Sequence, residues 1–340
     1  MKVDKYNNSL LALLAYLVIL IAGLKAGSSI IVPLLMAFFW FLLFLPLVNK
    51  LRAFGMPDLL TTIVVFGITL IIVIVVGTFL ITSGQDLVAN LPMYQEKYHE
   101  LIPKIAGFFE RFGISLQKSH IINLFDPIKI INYMAIFLKS MGDIMTNGLL
   151  TLLVVLFLFL ESSLLSKKVL YLIKGEDLKK KIELFLRNVN IYFVTKTLTS
   201  ASVGLLVWAM LAFFGLDYAL LFGLLAFFLN FVPNIGSIMA SIPALLMALL
   251  QLSMIETMVI AVGYTFINLF IGFIEPKIMG DGVGLSTLVV FVSMVFWGWI
   301  FGPVGMFLSV PLTIVIKIAC DNNKKLHWVS VVLSDSVKPN

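Results

Sequence analysis

Eight apolar runs pace this 340-residue chain: Ser9–Leu24, Ile30–Val48, Leu59–Thr82, Gly148–Leu160, Thr195–Phe214, Ala219–Leu250, Glu256–Ile274 and Ser286–Lys317. A helix crosses the ~30 Å hydrocarbon layer with about 20 apolar residues at ~1.5 Å each. The pattern therefore predicts an all-α polytopic membrane protein. Lys25–Ser29 reads as a joint between the first two spans, and Asn49–Asp58 as a short polar turn. No small-residue cleavage site separates the first two runs, so the first reads as a span and not as a signal peptide.

Two of the runs are interrupted. Ala219–Leu250 carries no charged residue, yet Pro233 and Gly236 stand at its middle among Asn230, Asn234, Ser237 and Ser241. Lipid offers no partner to a freed backbone group, so a break at membrane depth has to be buried in protein or line a wet cavity. The second interrupted run repeats the pattern. Pro303 and Gly305 match Pro233 and Gly236, and Ser309-Val310-Pro311 matches Ser241-Ile242-Pro243. Each interrupted run follows a plain span, so the unit is about 60 residues long. The alternative is two unrelated Pro-kinked helices.

Length sharpens the expectation. Ala219–Gln251 has 33 residues and Ser286–Lys317 has 32, too many for one untilted pass and too few for two. Split at the break, each run fits a re-entrant hairpin. The first is expected to enter from outside after Leu216-Asp217-Tyr218, the second from inside after Gly284, as an inverted repeat with tips meeting near the midplane. The rival is two long, kinked crossings.

Polar segments complete the layout. Residues 83–147 hold six basic and six acidic residues, with Ile102, Ile105, Phe108, Phe109 and Phe112 at helical spacing. They read as an extracytoplasmic helical arm, packing on neighbours or the membrane surface, or serving as a linker. Ser162–Lys196 holds eight basic against three acidic residues, and short positive loops stay cytoplasmic. Both termini then fall inside. The domains expected are a scaffold of three spans at 1–82, the arm at 83–147, a fourth span at 148–161, a basic cytoplasmic loop at 162–194, a transport core at 195–318 and a cytoplasmic tail at 319–340.

Composition narrows the function. The chain is 61% hydrophobic and 12% charged, whereas soluble domains run near 45–50% and about 25%. A nucleic-acid partner is excluded because no soluble basic domain is evident. The one cysteine, Cys320, makes no intrachain disulfide. His99, His120 and His327 lie outside the apolar runs, and no metal or cofactor motif appears. Hydrolase, zinc-protease and P-loop patterns are missing, so no enzyme is expected. A channel also breaks helices at the midplane, but repeated broken helices point more to a carrier. Glu275-Pro276-Lys277, before Gly280-Asp281-Gly282, reads as a gate or proton-linked pair, or as an interfacial turn. Lys196, Asn268, Glu275, Lys277 and Asp281 are the coupling or gating candidates. The substrate-pathway candidates are Asn230, Pro233, Asn234, Gly236, Ser237, Ser241, Pro303, Gly305, Ser309 and Pro311.

Several of these stretches carry a resemblance. Lys196-Thr197-Leu198 after Tyr192, Leu225-Ala226-Phe227, and Asn230-Phe231-Val232-Pro233-Asn234-Ile235-Gly236 come first. Glu275-Pro276-Lys277-Ile278-Met279-Gly280, Gly284-Leu285-Ser286-Thr287, Trp297-Gly298-Trp299, Gly302-Pro303-Val304-Gly305-Met306 and Ser309-Val310-Pro311-Leu312-Thr313 follow in order. Together they resemble the autoinducer-2 exporter family of bacterial inner-membrane proteins, in its quorum-signal exporter branch. Glu161 departs from the basic residue expected there. The resemblance implies a secondary carrier for a small polar signal or metabolite, driven by protons. Sodium- or lithium-for-proton antiport is the alternative, and a non-transporting membrane scaffold the third. A small-molecule or ion substrate, a lipid bilayer and a homo-oligomer are the partners expected.

Overall fold

The computed structural model describes residues 15–16, 18–90, 93, 148–172, 176–232, 235–279, 284–321 and 326–335. Eleven helices are named among them: α1 (Ser28–Ala53), α2 (Asp58–Ala89), α3 (Gly148–Leu172), α4 (Glu176–Phe213), α5 (Ala219–Leu229), α6 (Gly236–Gln251), α7 (Met254–Met279), α8 (Thr287–Phe301), α9 (Pro303–Phe307), α10 (Ser309–Asp321) and α11 (His327–Leu333). Among the described residues, four helical stretches are long and apolar enough to cross a membrane: Ser28–Ala53, Asp58–Leu87, Val189–Phe213 and Met254–Glu275. Their outward faces stay apolar. On α7, Ile260, Tyr264, Ile267 and Ile271 are buried, while Val262, Phe266, Leu269 and Phe273 are exposed. A helix apolar all round belongs in lipid.

The chain forms two compact units. One comprises Met1–Phe66, Gly148–Tyr192 and Asp281–Asn340. There α1 packs on α3, with Phe41 and Phe159 rings 5.6 Å apart and Arg52 donating to Ser162 Oγ at 2.9 Å. The hairpin of α8, α9 and α10 packs on α1, where Phe39 meets Phe307 edge-on at 4.8 Å.

The other unit comprises Gly67–Asn147 and Phe193–Gly280. Its core gathers Leu80 and Leu87 of α2, Val203, Val207 and Leu211 of α4, the hairpin α5–α6, and the buried stripe of α7. Where α4 crosses α5, Gly204 and Gly223 face each other, and a Cβ at Gly223 would lie 2.6 Å from Trp208 Cβ. Small residues let membrane helices approach this closely. A capping box starts α7. Ser253 Oγ accepts from Glu256 N at 3.3 Å, and Glu256 Oε2 accepts from Ser253 N at 2.8 Å.

Helices extend through several stretches read as polar breaks. Lys25–Ser29 contains no loop: residues 18–26 are helical, and Gly27 N still donates to Gly23 O while Gly27 O accepts from Ile31 N. A turn that retains these bonds joins the two helical stretches directly. Leu59–Thr82 continues as helix to Ala89. Glu161 does not close its helix, which reaches Leu172, and Glu161 pairs there with Lys168 at 2.6 Å. Most of the basic stretch after it is helix in α3 and α4. Charged residues are good helix formers, so a change in polarity need not end a helix. The tail carries α11, and residues 94–147 of the arm lie outside the described residues.

Candidate functional site

The two interrupted runs fold back on themselves. The legs α5 and α6 pack against each other, and their far ends meet. Asp217 N donates to Gln251 Oε1 at 2.9 Å, and Gln251 Nε2 donates to Asp217 Oδ2 at 2.9 Å. The second run closes in a similar way. Lys317, near the end of α10, donates from Nζ to the carbonyl of Gly284, just before α8. Ser286 Oγ then caps α8 by accepting from Val289 N at 3.2 Å.

Both turns are held by a glycine without room for a side chain. A Cβ at Gly236 would lie 1.7 Å from the carbonyl oxygen of Leu229, the last residue of the incoming leg. At Gly305 it would lie 1.9 Å from the carbonyl oxygen of Trp297. The matched glycines thus do the same job: backbone packs on backbone across a tight return. Gly302 opens the second turn at φ 65 and ψ −149, a conformation open essentially to glycine alone. Pro303 follows at the first turn of α9, where no amide hydrogen is needed.

Polar side chains of the first hairpin's unit converge near its tip. Asn230 caps the end of α5 and donates from Nδ2 to Ser200 Oγ on α4 at 3.0 Å. One turn back on the same face of α4, Lys196 Nζ meets Glu275 Oε1 of α7 at 2.7 Å. Their side chains are 8% and 19% exposed. Thr195, Thr199 and Ser200 are buried beside Lys196. The partner of Glu275 is therefore Lys196 and not the adjacent Lys277. Lys277 is exposed, with Nζ 4.8 Å from the centre of the Phe273 ring. The sequence signal for the true pair was a lysine within an apolar run, which has to find an anion.

The other candidates divide. Asn268 donates to the carbonyl of Tyr264 on its own helix at 2.8 Å. Ser241 Oγ donates to Ile238 O at 2.9 Å, and Ser237 is partly exposed on the first turn of α6. Ser309 is fully buried, with Oγ donating to Met306 O at 2.8 Å. Pro311 is buried in α10, close to Thr313, which accepts from Trp297 Nε1 at 3.1 Å. These contacts support the second turn and leave Ser309 no free donor. Pro233, Asn234 and Asp281 lie outside the described residues.

Sequence reasoning missed Ser200, and it named Tyr218 only as the entry to the first hairpin, without its contact. Tyr218 holds φ 59, costly for a bulky residue, while its hydroxyl accepts from Asn90 Nδ2 at 2.8 Å. No short motif predicts either contact.

Apolar-faced helices, two internally closed hairpins and a buried ion pair beside one hairpin tip define a multi-pass membrane transport protein. The AI-2E family transporter profile matches residues 14–325, and the chain belongs to that family. The AI-2 transport protein TqsA of Escherichia coli K12 is 35% identical over 325 residues, covering 95% of this chain and 94% of that protein. A putative transport protein of Haemophilus influenzae is 33% identical over 331 residues, covering 95% of each chain. The putative transport protein YhhT of Escherichia coli K12 is 30% identical over 332 residues, covering 97% of this chain and 95% of its own. The relatives are transport proteins, and this chain is a transporter of the bacterial inner membrane and not an enzyme.

Proposed function

We propose that this protein is a secondary carrier that exports a small polar solute of the autoinducer-2 type, driven by protons. The observation that carries this reading is the Lys196–Glu275 pair at 2.7 Å, one helical turn from the Ser200–Asn230 bond at the hairpin tip. Burying two charges costs several kcal/mol each, roughly offset only while they stay paired. Protonation of Glu275 cancels the attraction and frees Lys196. The helix bearing Lys196 also bears Ser200, so a change at the pair is transmitted to the group holding Asn230. Likeness to the AI-2 transport protein TqsA supports the substrate class.

Flux into proteoliposomes under an imposed pH gradient tests the reading, with autoinducer-2 and sodium offered separately. The expected result is gradient-driven movement of autoinducer-2 with no effect of sodium. Movement of sodium alone assigns cation/proton antiport instead, and movement of neither leaves a scaffold.

The hairpins are re-entrant in this reading. The legs α5, α6, α8 and α10 have 11, 16, 15 and 13 residues. At ~1.5 Å per residue each falls short of the ~30 Å core. With Cys320 replaced by serine, single cysteines at Ser253 and Gly282 are expected to differ towards an impermeant thiol reagent on intact cells. Ser253→Cys should label from outside and Gly282→Cys should not. The opposite pattern would establish full crossings.

A further inference from the structure

Tyr264 of α7 is 2% exposed and lies in the apolar core of the first hairpin's unit with Val207, Leu211, Phe222, Ala240 and Ala244. Its hydroxyl oxygen is enclosed, and among the described residues it has no hydrogen-bond partner. A buried donor left unsatisfied destabilises the fold. Phenylalanine would fill the same space without that cost. Such a group calls for a partner present at another moment of the working cycle.

Two contacts place this hydroxyl relative to the ion pair. Helices α4 and α7 run antiparallel, because Lys196 meets Glu275 and the Sδ of Met210 lies against Gly263. Tyr264 is therefore about 16 Å along α7 from Glu275, at ~1.5 Å per residue. Ile267 and Ile271 continue its buried stripe towards Glu275. Met210 occupies the space where Gly263 has no side chain, with Sδ 2.3 Å from an ideal Cβ there. A thioether on an unbranched stem is the side chain best able to give way to a guest.

The surroundings select the chemistry of the guest. The buried side chains clustered with Tyr264 form an apolar wall that includes Val207, Leu211, Phe222, Ala240 and Ala244. A dehydrated cation against such a wall would fall short of the six or more oxygens that hard cations take. A small neutral solute bearing hydroxyl or carbonyl oxygens can accept the phenol hydrogen and lay its carbon face on the apolar wall.

We propose that the Tyr264 hydroxyl donates a hydrogen bond to the transported solute as it passes along the α4–α7 seam, and that this solute is neutral and oxygen-rich. The inference rests on the exporter reading above and deepens it.

Tyr264→Phe tests it in proteoliposomes loaded for autoinducer-2 and sodium flux, beside thermal unfolding of the purified variant. The half-saturating concentration of autoinducer-2 is expected to rise about tenfold, the effect of one lost bond. The unfolding midpoint should stay level or rise, because an orphan donor has been removed. Unchanged autoinducer-2 flux in Tyr264→Phe overturns the inference and leaves the exporter reading intact. A lowered midpoint also overturns it, by showing that the hydroxyl has a structural partner. Wild-type protein that moves sodium alone, or nothing, overturns the exporter reading and the inference with it.

Discussion

Alanine at Gly236 is expected to cost about 3 kcal/mol of stability and to abolish transport. The added methyl would stand 1.7 Å from the Leu229 carbonyl oxygen and 2.6 Å from its carbon. Those are backbone atoms, so relief requires the legs of the hairpin to move apart. Such a shift disturbs Asn230, which caps the incoming leg and bonds Ser200. Alanine at Gly305 meets the Trp297 carbonyl at 1.9 Å and should behave alike. Gly272 is the control, since a Cβ there meets nothing within 4 Å. Alanine at Gly272 lies in mid-helix, where it is worth up to ~1 kcal/mol of added stability. Thermal unfolding and flux on all three variants decide the matter. A Gly236→Ala protein as stable and active as Gly272→Ala would remove the tight return from the account.

Lys196→Met is the second large effect. It leaves the Glu275 carboxylate in a mostly buried position without its cation, at a cost of about 3 kcal/mol. Adding Glu275→Leu should restore most of the stability, because an apolar pair often replaces a buried ion pair without loss. Transport driven by pH should not return in the double variant. Glu275→Gln separates the two roles: downhill exchange of solute should persist while the response to a pH gradient disappears. Lys277→Met is the comparison, expected within ~0.5 kcal/mol of wild type because the residue is exposed. A Lys277→Met protein more impaired than Lys196→Met would reassign the partner of Glu275.

Membrane class and helical content were legible from the outset, and so was the special standing of the interrupted runs. Runs of apolar residues near membrane length leave one solvent and one backbone solution, since lipid satisfies no peptide group. The correspondence of Gly236 with Gly305 was equally legible, because proline and glycine announce a break wherever they fall. Helix ends were less so. The run ending near Thr82 continues to Ala89, and the one ending at Glu161 continues to Leu172, since helical hydrogen bonding persists through charged residues.

What the amino-acid order determined alone was the solvent, the secondary structure and the place where two helices break. Those follow from local quantities: transfer free energy, propensity and the missing amide of proline. Tertiary structure alone decided who meets whom. Glu275 passes over Lys277, two positions away, because i and i+2 point to different faces of a helix. It finds Lys196, 79 residues distant, because the antiparallel packing of α4 on α7 brings both side chains to one buried level. The Asp217–Gln251 clamp and the Tyr264 hydroxyl, unpartnered among the described residues, have the same origin. A contact between distant residues depends on how helices rotate and cross, and no pattern along the chain encodes that angle locally.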